Sequence, residues 1–196
     1  MKNPIVMTLS ALAFLVACTF SGTATAEKAA EQLQSGPKVG DSIGAFYVTK
    51  LCGAEEDGVS EGKNLCYRCK NASRPQVMVF TRSADPQVAK LVQELDKAIA
   101  KNEDAQLRAF VNFMGDSKED VSDTAKKFAS ESKVKNIPFV LPNEFENGPD
   151  DYGINAKAEV TIVMANKSKV EATYAVAKAD QLDVDAVVAN LKKILE

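Results

Sequence analysis

Val77, Met78, Val79 and Phe80 form an unbroken apolar run within Pro75–Arg82, which predicts a strand buried on both faces. The pattern then changes period. Val88, Leu91, Val92, Leu95 and Ile99 recur at helical spacing and give one apolar face over three turns. Asp85-Pro86 supplies the start of that helix, an N-cap oxygen followed by proline at the first helical position. Gln106–Met114 alternates through Leu107, Ala109, Val111 and Phe113 and predicts a second strand, with Phe110 pointing to burial on its other face as well. Gly115-Asp116-Ser117 opens another helix with Val121, Ala125 and Phe128 in phase. Ile137–Leu141 reads as a short strand and Asn143–Gly153 as a loop. Val160–Met164, a polar turn at Ala165–Ser168 and Val170–Val176 read as an antiparallel pair. A last helix, capped by Asp180 or Asp183, carries Val184, Val187, Val188, Leu191 and Leu195.

Upstream the pattern is weaker. Phe46–Leu51 predicts a short strand entered through Lys38–Ile43, and Cys52–Asn64 is an aperiodic loop rich in glycine and acids. Strands alternating with helices, then two strands and a helix, predict a three-layer α/β sandwich. Its central mixed sheet should hold four to five strands, with Pro75–Thr81 central and helices on both faces. Strands joined by helices should be parallel, and the last two antiparallel.

The first residues have another pattern. Lys2 followed by the apolar stretch Pro4–Ala17 and by Ala24-Thr25-Ala26 reads as an export signal, residues 1–26, cleaved before Glu27. Leu15-Val16-Ala17-Cys18 resembles a bacterial lipobox and offers an alternative, with Cys18 lipidated. Either route predicts an exported protein of the periplasm or cell envelope, in a compartment where disulfides persist. Residues 27–37 read as a polar tether, broken at Ser35-Gly36-Pro37, and residues 38–196 as the folded domain. No later apolar run reaches membrane-spanning length, so no span is expected in the mature chain.

Composition changes the picture by exclusion. The 196-residue chain is 45% hydrophobic and 26% charged, which suits one globular domain. Its net charge is −3, and 23 basic against 27 acidic side chains remain without the signal. Nucleic acid is therefore not an expected partner. There is no histidine, which removes Ser-His catalysis and His-ligated zinc. No cofactor is expected.

The candidate chemistry is in Cys66-Tyr67-Arg68-Cys69-Lys70, directly before the buried strand. Two cysteines two residues apart can close a small disulfide ring or grip a metal. With Cys52 there are three thiols in the domain, and four readings of them. In the redox reading Cys66 and Cys69 exchange, with Cys66 attacking and Cys69 resolving by analogy. Arg68 and Lys70 would favour the thiolate, Tyr67 would tune the pair, and protein or small-molecule thiols would be the partners. In the structural reading a bridge, including Cys52–Cys66 or Cys52–Cys69, pins the acidic loop to the core. In the metal reading the three thiolates take a fourth ligand such as Asp57. In the haem reading CxxCK stands for CxxCH. Loop-closure entropy favours Cys66 pairing with Cys69 and leaves Cys52 as a third thiol. The carboxylate groups Asp150-Asp151 and Glu55-Glu56-Asp57 match no calcium-loop spacing and read as solvated loops.

The element order and the CxxC together resemble the thioredoxin-like superfamily over roughly Val39 to Glu196, with local support in Asp151-Tyr152-Gly153-Ile154 and the hairpin that follows. Ser35-Gly36-Pro37-Lys38-Val39-Gly40-Asp41, with a CxxC before Pro75-Gln76-Val77-Met78-Val79-Phe80-Thr81-Arg82, is similar to exported redoxin-like proteins of planctomycete bacteria. The resemblance implies the fold and the compartment. It implies no established activity. The helix start that carries the cysteines in thioredoxins and peroxiredoxins is here Ser83-Ala84-Asp85-Pro86, and the cis-proline position reads Val160-Thr161, so neither family's catalytic residues carry over by position. Two functions follow. One is a thiol–disulfide oxidoreductase acting through the displaced pair; the other is a catalytically inert binding module with a structural disulfide.

Overall fold

The apolar run forms β3 (Gln76–Thr81), whose six residues are all buried. In the computed structural model, which describes residues 33–196, β3 pairs parallel with β4 (Arg108–Phe113) and antiparallel with β6 (Val160–Asn166). The sheet has seven strands in the order β2-β1-β5-β4-β3-β6-β7, where the sequence predicts four to five. It takes in every strand read from the pattern: β1 (Val48–Gly53), β5 (Pro138–Pro142) and β7 (Lys169–Val176) join the three above. The seventh, β2 (Asn64–Leu65), is two residues at the end of the acidic loop and too short to show a period. The signal segment, Cys18 and residues 27–32 of the tether lie outside the described residues. Ser35 and Gly36, on the tether side of the boundary read from the sequence, are bonded into the domain. Ser35 Oγ lies 2.6 Å from Thr161 Oγ1, and the Gly36 N–H donates to Gly153 O.

The strand period sorts the core into two faces. One face takes Val77 and Val79 of β3, Val111 and Phe113 of β4 and Phe139 of β5. It lies under α2 (Pro86–Lys101) and α3 (Lys118–Ser132), whose predicted apolar stripes are buried there, and under α4 (Val184–Ala189), which buries Val184 and Val187 and leaves Val188 half-buried. The other face takes Met78, Phe80, Phe110, Val140 and Val163, under the entry segment with Ile43 and Phe46, and under the short helix α1 (Tyr67–Asn71). Aromatic rings dominate it. Phe46 meets Tyr152 edge-on at 4.9 Å, and Tyr67 stacks on Phe110 at 5.7 Å.

Elsewhere the boundaries follow local chemistry. Lys167 and Ser168 both adopt left-handed backbone, the geometry of a two-residue hairpin turn, and close β6 onto β7. Asp183 caps α4, its Oδ1 accepting the Ala186 N–H. The last helix then tightens, with the N–H groups of Leu191, Lys193 and Ile194 each bonding three residues back. Such bonds advance the chain about 120° per residue rather than 100°. Ile194 therefore reaches the core in α5 (Lys192–Leu195), in place of Leu195.

Candidate redox site

The CxxC stretch makes its own helix. Cys66 is extended, and its Sγ accepts the backbone N–H of Cys69 at 3.0 Å, the bond that an N-cap side chain normally provides. The Lys70 N–H donates to Cys66 O at 2.9 Å and begins the helical ladder. Five residues later Ala72, with φ of 53°, ends it. The turn brings the Cα atoms of Cys66 and Cys69 to 5.1 Å, and the two sulfurs are bonded. Loop-closure entropy and the fold thus select the same pair, and Cys52 is a free thiol.

Cys52 lies on the other face. It sits opposite Phe139 in the β1–β5 register and packs with the helix-covered core, while Tyr67 and its helix belong to the aromatic face. Burial first, and then the Glu61 carboxylate, push the Cys52 thiol up to about 11, against smaller opposing effects of Lys126 and Lys50. At neutral pH it is a protonated, poor nucleophile. The three thiols do not converge, and among the described residues no group of three or more Cys, Asp or Glu side chains could hold a metal ion.

The residues between and beside the cysteines separate by role. Tyr67 is 3% exposed, and its hydroxyl donates to Asp57 Oδ2 at 2.5 Å. The other Asp57 oxygen accepts the Val59 N–H at 2.7 Å and the Lys50 ammonium at 2.8 Å. Lys50, only 2% exposed, spends its remaining donors on the carbonyls of Ala54 and Val59. This buried pair is therefore fully hydrogen-bonded, the condition under which such a pair is tolerated. Burial and the Asp57 carboxylate hold the Tyr67 phenol far above its ordinary range. Of the acidic triplet, Glu55 and Glu56 are exposed and only Asp57 turns inward. The Arg68 charge is felt at Tyr152, where it opposes the rise caused by burial. Lys70 is exposed.

An open groove of about 730 Å³ runs over the disulfide, walled by Tyr47, the Gly58–Ser60 loop, Lys63 and Lys70. Tyr47 is 56% exposed on its rim. Ser83–Pro86 takes no part in it. That turn carries Asp85 as the cap of α2, with Oδ1 accepting the Gln87 N–H at 2.7 Å. Sequence reasoning missed Lys50 and Tyr47. Nothing in Thr49-Lys50-Leu51 marks a lysine that points inward, and an exposed tyrosine has no pattern.

No family model matches the chain, and no curated protein matches it. Solved structures do. A candidate thiol:disulfide interchange protein, DsbE, from Chlorobium tepidum superposes with a TM-score of 0.59 at 13% identity, covering 81% of this chain and 99% of that one. AhpC from Mycobacterium tuberculosis gives 0.58 at 16% identity, over 82% of this chain and 99% of that one. An exposed lipoprotein thioredoxin from Streptococcus pneumoniae gives 0.51 at 15% identity, over 76% and 99%. The fold is thioredoxin-like, with a mixed central sheet and helices on both faces.

Proposed function

We propose that this chain is a thiol–disulfide exchange protein of the cell envelope, working through Cys66 and Cys69. The observation that carries the reading is the Cys66–Cys69 bridge at the floor of an open groove. A CxxC disulfide that an incoming sulfur can reach has the two requirements of exchange, a short ring and access. The groove has two lysines on its walls and room for a protein or small-molecule thiol. The names of the similar structures, an interchange protein and an exposed lipoprotein thioredoxin, fit that chemistry and that compartment. So does the likeness to exported redoxin-like proteins of planctomycetes. Export would proceed by cleavage after Ala26 or by lipidation at Cys18, with a polar tether leading to the domain. The mass of the native N-terminus decides between the two. No helix among the described residues is long and apolar enough to cross a membrane.

The inert reading has one observation in its favour. Tyr67, buried between the cysteines and bonded to Asp57, ties the bridge's helix to the buried Lys50–Asp57 pair, as a structural staple would be. A redox titration separates the two. A reversible two-electron transition near about −200 mV, lost in Cys66→Ser and in Cys69→Ser, is the expected result. A bridge still closed below about −300 mV would make it a structural staple.

A further inference from the structure

We infer that the dithiol works in reverse order: Cys69 is the sulfur that meets substrate, and Cys66 is the one that leaves and resolves. This rests on the exchange reading above and inverts the order that analogy suggests. Cys66 is 8% exposed, while Cys69 is exposed. An incoming sulfur must approach along the axis of the bond it breaks, so it reaches the bridge from the Cys69 side.

The leaving side is prepared as well. Cys66 Sγ already accepts the Cys69 N–H at 3.0 Å, and that donor is in place for the negative charge that appears when the bridge opens. The donor belongs to the helix's own backbone, so the Cys66 sulfur can keep it when the bridge opens. Cys69 has the complementary position, the third residue of α1, with Lys70 beside it at the groove wall.

A substrate thiolate attacks Cys69 Sγ, a substrate–Cys69 disulfide forms, and the Cys66–Cys69 bond breaks with its electron pair passing to Cys66. A second substrate thiolate then attacks the substrate sulfur of the mixed disulfide and releases Cys69 as thiolate. Two substrate thiols become one disulfide, the protein gains two electrons, and the two protons of the substrate thiols pass to solvent or to the cysteines. In the opposite direction Cys69 attacks a substrate disulfide, and Cys66 displaces the product from the mixed disulfide.

Limiting iodoacetamide on the reduced, otherwise unaltered chain at pH 8 tests the order. Cleavage after Tyr67 places the two cysteines on separate peptides for mass analysis. Cys69 should be alkylated roughly tenfold faster than Cys66 or more, because its exposure outweighs the thiolate that the N–H bond favours at the buried Cys66. Equal rates, or a faster Cys66, overturn the inference. The second arm uses 5,5′-dithiobis(2-nitrobenzoate). Cys66→Ser keeps an oxygen able to cap α1, and should form a mixed disulfide at about the rate of the reduced wild type. Cys69→Ser should be roughly tenfold slower. If the wild-type titration shows no transition above about −300 mV, the exchange reading fails. The alkylation order then still stands or falls by itself.

Discussion

Two turns flank β3, and both start helices. Before the strand, α1 begins at Cys66; after it, α2 begins at Asp85. Each has the same local problem, backbone N–H groups with no partner inside the helix. At Asp85 a carboxylate oxygen accepts the Gln87 N–H, and Pro86 removes one donor outright. The Thr81 hydroxyl locks the approach by donating to Ser83 O and accepting the Ser83 N–H. At Cys66 the acceptor is a sulfur that is also half of a disulfide. In thioredoxins the cysteines occupy the turn after the strand. Here that turn already holds a negative group, and a thiolate beside Asp85 would meet a like charge that raises its pKa. A thioredoxin-like fold can thus carry a CxxC disulfide at the helix start before β3, where the sulfur itself serves as the cap.

The two turns also differ in what supports them, and the largest expected effect comes from there. α1 leans on Tyr67, Asp57 and Lys50, whereas α2 leans on its own apolar face. Asp57→Ala leaves the Lys50 ammonium buried with two carbonyls and no carboxylate, and frees the Tyr67 hydroxyl. Breaking a buried pair from one side costs about 3–5 kcal/mol. Urea unfolding should show a loss of that size. A loss below about 1 kcal/mol would mean that water screens the pair as it does a surface bridge.

Opening the bridge should matter less. Its ring spans only four residues, for which the chain-entropy argument gives about 2 kcal/mol. Unfolding curves with and without dithiothreitol measure this. If reduction unfolds the domain, α1 depends on the covalent bond rather than on Tyr67, and the cap described for the reduced state is lost. The next effect belongs to the other turn: Asp85→Ala should cost about 1 kcal/mol, the usual worth of an N-cap. It should leave the redox potential unchanged, because Asp85 is outside the groove. A shifted potential would show that the two turns are coupled through β3.

The two turns were unequally legible in the sequence. Asp85-Pro86 and the stripe Val88–Ile99 announce α2, because an oxygen cap, a proline and three turns of period all agree. Nothing announces α1. Five residues are too few for a periodic signal, and cysteine is not among the usual caps. The buried strand could be read from Val77–Phe80, and the Cys66–Cys69 pairing from loop length. Burial at the pair could not, since which of two cysteines faces solvent depends on where Tyr67 anchors the helix. Lys50 was invisible for a related reason: its burial depends on a carboxylate seven residues away that only the folded loop brings to it. The expected count of four to five strands fell short on two grounds: all six strands legible in the pattern join one sheet, and β2 adds a seventh because two residues form a strand only by lying beside Val48 and Thr49.

The smallest effect, and the control for the whole comparison, is Cys52. It is the one free thiol among the described residues, and it lies on the face away from both the disulfide and the groove. With its thiol pushed up to about 11, only about one molecule in a thousand carries the thiolate at pH 8. In the reduced native protein Cys52 should therefore stay unalkylated while Cys69 reacts, and its rate should rise about tenfold per pH unit toward pH 11. The same shift has a consequence for stability. The folded state holds Cys52 protonated more firmly than the unfolded chain does, so this contribution is complete below pH 9.0 and is lost as pH climbs toward about 11. Tyr67 and Tyr152, both raised chiefly by burial, act in the same direction once unfolded tyrosines ionise near pH 10. Melting temperatures at successive pH values from 8 to about 11 should fall, and in Cys52→Ala the decline should begin about one pH unit later, at the tyrosine step. Alkylation of Cys52 at pH 8 as fast as that of Cys69 would remove the contrast between the faces, and with it the reason for assigning the exchange to the turn before β3 alone.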